Sequence, residues 1–147
     1  MGEYPLSFAI FSEEKANLMI AWRTRSLCRR CRRRDCPGDV YQFLATGARR
    51  AWLCQPGFAA FYVRQSILAP LLSAPSRPTI ELANLRAASP GQGTFKRLAR
   101  ELLSAYPMSY LFVESVLSER FRNGLLRMGF RAADQEGCYF LAAEYLK

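Results

Sequence analysis

The sequence predicts one mixed α/β domain built on an α+β mixed sheet, and three observations carry that reading. The 147 residues, half of them hydrophobic, suit a single core rather than two. Helix-type and strand-type periodicities alternate through the second half of the chain. Turn residues punctuate each change, giving the order β, turn, α, β, α, β, β. Neither an internal repeat nor a low-complexity tract interrupts this order.

Ser12-Glu13-Glu14 opens the first expected element, with a capping hydroxyl and two acids at the positive end of a helix. That helix is expected to run through Leu18, Met19, Ile20, Trp22 and Leu27. It belongs to an Arg/Cys-rich helical region over residues 12–46, in which Cys36-Pro37-Gly38-Asp39 reads as a stop. Ala51-Trp52-Leu53-Cys54 and Ala59-Ala60-Phe61-Tyr62-Val63 then flank the turn Gln55-Pro56-Gly57, the pattern of a β-hairpin. Leu68 to Pro78, with three prolines, is expected to be a loop.

Thr79 to Leu85 is a strand, and a period of two places Glu81, Ala83 and Leu85 on one face. After the Gly-rich turn Ser89 to Gly93, residues Phe95, Leu98, Ala99, Leu102, Leu103 and Tyr106 trace the inner face of an amphipathic helix. Tyr110 to Val113 is a buried strand. Ser118-Glu119 starts a further helix with Phe121, Leu125 and Met128 inward, and Gly129 ends it. The chain closes on a hairpin turning at Gln135-Glu136-Gly137, with Tyr139 to Ala143 as its last strand.

Composition narrows the chemistry. The chain has no His, which removes Ser-His-Asp and Cys-His nucleophile systems and His-dependent metal sites. Its 21 cations against 12 anions give +9, and all the cations but Lys15, Lys96 and Lys147 are Arg. Guanidinium groups suit carboxylate and phosphate partners, so an acidic ligand is expected. Met1 to Pro5 lacks a basic stretch followed by an apolar one, and Gly57 to Ala74 is broken by Arg64, Gln65 and Pro70. Neither a secretory leader nor a membrane span is therefore expected. Five Cys, an odd number, point to reduced thiols and a cytoplasmic protein.

A strand running through a Gly-rich turn into a helix makes an anion site, because free amides and the helix dipole meet there. Leu85, then Pro90-Gly91-Gln92-Gly93-Thr94-Phe95 with Leu98 after it, and Ser118 to Phe121 leading to Leu125 to Phe130, carry a resemblance. Over residues 79–130 the sequence resembles the GNAT family of N-acetyltransferases, in a divergent form of the kind seen in small phage proteins. The resemblance implies a GNAT-like fold with acetyl-CoA wedged between two splayed parallel strands, Thr79–Leu85 and Tyr110–Val113. It implies pyrophosphate on the amides of Gln92, Gly93, Thr94 and Phe95, and a thioester polarised near the backbone of Leu85. Glu81 would be the base, and Tyr110 or Tyr139 the acid. Family habit also implies a homodimer.

The chain departs from the family pattern at the chemical positions. Pro90 stands where the family has Arg or Gln, which removes a donor. Phe95 stands where a small residue lets the pyrophosphate approach, Leu125 where a Tyr acid is common, and Ser118 in place of a capping Asn. Loss of a positioned acid costs about 10²–10⁴ in rate. The functional expectation is an acyl-CoA-dependent N-acyltransferase-like protein. A degenerate GNAT-fold module that binds another protein is the rival, and a nucleic-acid binder is the third reading.

That third reading rests on the segment Arg23 to Asp39, with seven Arg against two Asp. Arg29, Arg30, Arg32, Arg33 and Arg34 are candidates for an acidic small molecule, protein or nucleic acid, with a solvated basic helix face as the alternative. Cys28, Cys31 and Cys36 form a C-x₂-C-x₄-C run with Cys54 as a conceivable fourth ligand. The second C-x₂-C pair usual in zinc sites is absent, and Cys28 and Cys31 could share a helix face. Free thiols are therefore the expectation, and no metal site is assigned.

Overall fold

The protein is described from a computed structural model, which covers residues 28–34 and 36–147. The helix expected from Ser12 to Leu27 lies outside the described residues. Their elements run α1 (Val40–Thr46), β1 (Arg50–Trp52), β2 (Phe58–Leu68), β3 (Arg77–Ala87), α2 (Thr94–Ala105), β4 (Tyr110–Val113), α3 (Glu119–Met128), β5 (Arg131–Ala132) and β6 (Tyr139–Leu141). A short 3₁₀ turn, Ala143–Tyr145, follows. The six strands form one mixed sheet in the order β1-β2-β3-β4-β6-β5. The mixed α/β class is thus the one the periodicities predict.

Cys36-Pro37-Gly38-Asp39, expected as a stop, is a start. The Asp39 side chain accepts from the Gln42 amide at 2.9 Å, and the Gln42 side chain accepts from the Asp39 amide at 2.9 Å. This reciprocal capping box opens α1, whose Val40, Phe43 and Leu44 are buried. The Gln55 side-chain oxygen accepts from the Val40 amide at 2.8 Å and fixes α1 against the β1–β2 turn.

β1 and β2 pair antiparallel as the hairpin pattern requires, but β2 runs on to Leu68 and pairs along β3. Among the described residues, the one parallel pairing, β3 with β4, matches Thr79 to Tyr110 and Leu82 to Val113. Beyond Leu82, β3 continues to Ala87 with β2 alone beside it, so the two parallel strands part towards the Gly-rich turn.

The expected alternation along β3 fails at Ala83. Val63 pairs with Leu82 and Tyr62 with Asn84, so Ala83 is an extra residue on β3, a β-bulge. The bulge reverses which face each later side chain takes. Leu82 and Leu85 therefore share the face of Val63 and Phe61, and Glu81 faces the other way with Arg64. A strict period of two had put Glu81 and Leu85 together.

One core lies between the sheet and the three helices. It joins Phe43 and Leu44 of α1, Leu98, Leu102 and Leu103 of α2 and Leu125 of α3 to Phe61, Val63, Ile80, Leu82, Leu111, Val113 and Leu141. A smaller cluster on the opposite face joins Tyr110, Phe112, Cys138, Phe140 and Ala142. β4 is buried on both faces, as its continuous apolar run Tyr110-Leu111-Phe112-Val113 demands.

Candidate functional site

β3 delivers its end to the turn Ala88 to Gly93, and Gly93 starts α2 with a φ of 69°. No side chain caps this helix, so its first amides face outward without a local acceptor. A Cβ on Gly91 would meet nothing within 4 Å, and one on Gly93 only the Arg97 guanidinium at 3.5 Å. The Arg97 guanidinium donates to the Gln92 carbonyl at 2.8 Å and holds the turn open.

In front of these amides lies a cleft of about 540 Å³ between α2 and α3. Leu85, Gln92, Gly93, Thr94 and Phe95 all line it. Phe95 is half-buried, with its ring 5.5 Å from Phe121 and 6.1 Å from Phe130, so it ties α2 to α3 as it walls the cleft. Lys96, Arg120 and Arg127 also line the cleft and were not singled out from the sequence. A signal for two of them existed. Arg120 and Arg127 stand seven apart on one helix, and Gly124 between them leaves space that a Cβ would enter freely.

The candidate acid–base residues do not line this cleft. Glu81 pairs with Arg64 across β2 and β3, its carboxylate 3.6 Å from the guanidinium, and Arg64 also binds the Glu114 carboxylate. Glu81 sits one row before the strands part, opposite Phe112. Tyr110 is at the far end of β4, beside Thr79, and its hydroxyl donates to the Pro75 carbonyl at 2.9 Å. Its ring packs on Phe140 and under the Arg77 guanidinium. Tyr139 is better placed, since it pairs with Val113 where β3 and β4 separate.

The Arg/Cys segment is not helical where it is described. The Arg32 amide donates to the Cys28 carbonyl at 2.9 Å, and the Cys28 amide to the Arg33 carbonyl at 3.0 Å. Arg32 takes a φ of 62°, which closes a tight loop rather than extending a helix. Arg29, Arg30, Arg32, Arg33 and Arg34 are all exposed on it, and the Arg33 guanidinium donates to the Trp52 carbonyl at 3.1 Å. The expectation that Cys28 and Cys31 share a helix face is therefore corrected. Instead Cys28, Cys31, Cys36 and Cys54 converge, with all four sulfurs within 4.8 Å of one another.

The thiols do not titrate alike. Burial pushes Cys36 up to about 12 and raises Cys54. Burial also acts to raise Cys31, but hydrogen bonds from the Arg33 backbone and side chain, and from the Cys36 and Cys28 thiols, bring it to about 6. Among the described residues, no helix is long and apolar enough to cross a membrane.

The parallel pair that parts over a Gly-rich helix start, inside a mixed six-stranded sheet, is the arrangement that the resemblance to the GNAT family implies. Solved structures similar to it include the toxin AtaT complexed with acetyl-methionyl-tRNAfMet, at 19% identity and a TM-score of 0.45 over 65% of this chain and 71% of that one. A mutant AtaT toxin bound to the C-terminus of the antitoxin AtaR gives 19% identity and a TM-score of 0.44. The match spans 58% of each chain, so this sequence covers little more than half of that relative. A mutant of KacT matches at 19% identity and a TM-score of 0.43, over 58% of this chain and 62% of that one. No protein-family model matches the sequence, and no curated protein does.

Proposed function

We propose that the chain binds an acyl-CoA in the cleft between α2 and α3 and transfers the acyl group to an amine acceptor. The supporting observation is the convergence of Leu85 and Gln92 to Phe95 on one cleft whose floor is an uncapped helix start. The first-turn amides and the helix dipole suit a diphosphate. Lys96, Arg120 and Arg127 add three cations at the same rim. When bound, the acyl-CoA supplies a thioester carbonyl open to attack by an amine.

The chain's own groups have distinct parts in this reading. The amides of Gln92, Gly93, Thr94 and Phe95 hold the diphosphate, and the backbone of β3 near Leu85, past the bulge, faces the parting of the strands. Glu81, anchored by Arg64 on the opposite face, accepts the acceptor amine's proton through water. Tyr139, level with the fork, is the group left to donate a proton, because the Tyr110 hydroxyl is engaged on Pro75.

The rival reading, a GNAT-fold module that binds another protein without catalysis, is favoured by Pro90 and by Leu125, a fully buried side chain where the family carries a hydroxyl. Five exposed arginines on the Cys28–Arg34 loop favour an acidic or nucleic-acid partner as a further reading.

Calorimetry with acetyl-CoA decides between the first two. Binding should weaken at least tenfold, on the order of 1.4 kcal/mol, in Arg120→Ala/Arg127→Ala. Glu81→Gln should keep the binding and lose transfer to an amine. Absence of any heat or thermal shift at saturating acetyl-CoA would sink the acyl-CoA reading and leave the interaction module.

A further inference from the structure

The four converging cysteines belong to neither the cleft nor the sheet ion pairs, and they come from two separate parts of the chain. Cys28 and Cys31 lie on the loop that the Arg32–Cys28 and Cys28–Arg33 backbone bonds close. Cys36 follows on the irregular segment leading into α1, is buried, and its sulfur accepts from the Gly38 amide at 3.4 Å. Cys54 arrives from the end of β1, and its amide donates to the Gly38 carbonyl at 2.9 Å. Val40 and Leu53, neighbours in sequence of this turn and of Cys54, are buried in the main core.

We propose that Cys28, Cys31, Cys36 and Cys54 form a structural zinc site of the four-thiolate type. Zinc–sulfur bonds of about 2.3 Å in a tetrahedron put the sulfurs about 3.8 Å apart. The present spacing, all pairs within 4.8 Å, reaches that by a small contraction. A disulfide would draw two sulfurs together and give no reason for the other two to be there, and all four are free thiols. An amide that donates to a ligand sulfur, as Gly38 does to Cys36, holds a thiolate in place.

Charge supports the same assignment. Four thiolates around one divalent cation carry a net charge of −2. Arg29, Arg30, Arg32, Arg33 and Arg34 surround them on the loop, all exposed. The density of arginine in this segment thus acquires a local counter-charge. Cys138, by contrast, is buried in the second core and shares no contact with the cluster, so sulfur convergence is not general to this chain. The consequence is mechanical: the metal would fasten the arginine loop to the end of β1, beside the bond that Arg33 makes to the Trp52 carbonyl.

The experiment uses the full chain, purified reduced and without chelator. Elemental analysis should find one zinc per chain, and Ellman's reagent should leave the four cluster thiols unreacted until a strong chelator is added, while Cys138, buried in the second core, should react only on unfolding. Cobalt in place of zinc should give the visible absorption of a tetrahedral thiolate site. Cys31→Ser and Cys54→Ser should each lower zinc affinity at least tenfold, while Cys138→Ser retains it. Should the Ser variants fail to fold, the cobalt titration of the unmodified chain still decides. The proposal is overturned if the four cluster thiols react as fast in excess zinc as after chelation, if Cys138→Ser loses metal as fully as Cys54→Ser, or if the bound metal is iron. None of these readouts depends on acyl-CoA, so the cleft reading stands or falls separately.

Discussion

Tyr110 carries two readings at the scale of a single residue. Its hydroxyl and its place on a strand beside the cofactor region suggest an acid, yet that hydroxyl donates to Pro75 at the far end of β4. The direction was legible in principle. In a parallel strand the first residue is furthest from the end where the strands part, and Tyr110 is the first. Tyr110→Phe should therefore cost about 1 kcal/mol of stability for the lost hydrogen bond and leave any acyl transfer unchanged. Denaturant midpoints and a transfer assay on the same preparation check both halves, and a lost transfer rate with unchanged stability would contradict the placement. Phe95 lies at the other extreme. Its position in the motif was plain, but its contacts with Phe121 and Phe130 required the packing of two helices to be known.

At the scale of elements, α2 was fully legible because its inner face repeats without exception, and Leu98, Ala99, Leu102 and Leu103 are buried as the period requires. α1 falls within the helical region expected over residues 12–46, but its start was misread although its capping box, Asp39 with Gln42, stands in the sequence. The preceding Pro-Gly drew attention to an ending instead of a beginning. The reversal on β3 was not legible, since a bulge at Ala83 depends on the register of β2 and leaves no mark in the period. The end of α3 was legible, and it supports a sharp test. Gly129 takes a φ of 104°, and a Cβ there would run into the Tyr145 carbonyl. Gly129→Ala combines left-handed strain with a backbone clash and should cost about 2–4 kcal/mol. Gly47→Ala, at a φ of 68° with nothing within 4 Å, should cost only about 1 kcal/mol. Equal losses of melting temperature in the two variants would refute the role of the Tyr145 contact.

For the whole molecule, the sequence displayed the elements and their order, and the parallel pairing followed from the family resemblance. All four cluster cysteines stood out in the sequence, Cys54 as a conceivable fourth, but their convergence did not, because Cys28 and Cys31 read equally well as one face of a helix. Distant segments are also joined by charge. Arg77 at the start of β3 binds Glu144 in the last turn at 2.9 Å, and this hydrogen bond holds the Glu144 carboxyl below its ordinary value. A depressed carboxylate stabilises the folded chain above the ordinary value and loses that contribution as pH falls through the lower, folded one. Glu144 is half-exposed, so its share should be below about 1 kcal/mol after solvent screening. Urea midpoints should accordingly fall less steeply with acid in Glu144→Gln than in the unchanged chain. Parallel acid limbs would exclude the pair as a contributor.

The parting of β3 from β4 after Leu82 has a consequence in time as well as space. From Thr79 to that residue β3 is flanked on both sides, so its amide protons there should trade with deuterated solvent only when the sheet opens. From Ala83 to Ala87 a partner stands on one side alone. The amides aimed at β2 should stay slow while their neighbours, aimed into the gap, exchange within the native state. One strand then carries two clocks, alternating residue by residue. Residue-resolved hydrogen exchange would show them, and uniform protection along β3 would mean that the gap is closed in solution. A ligand seated in the gap should slow the fast set and leave the slow set as it was.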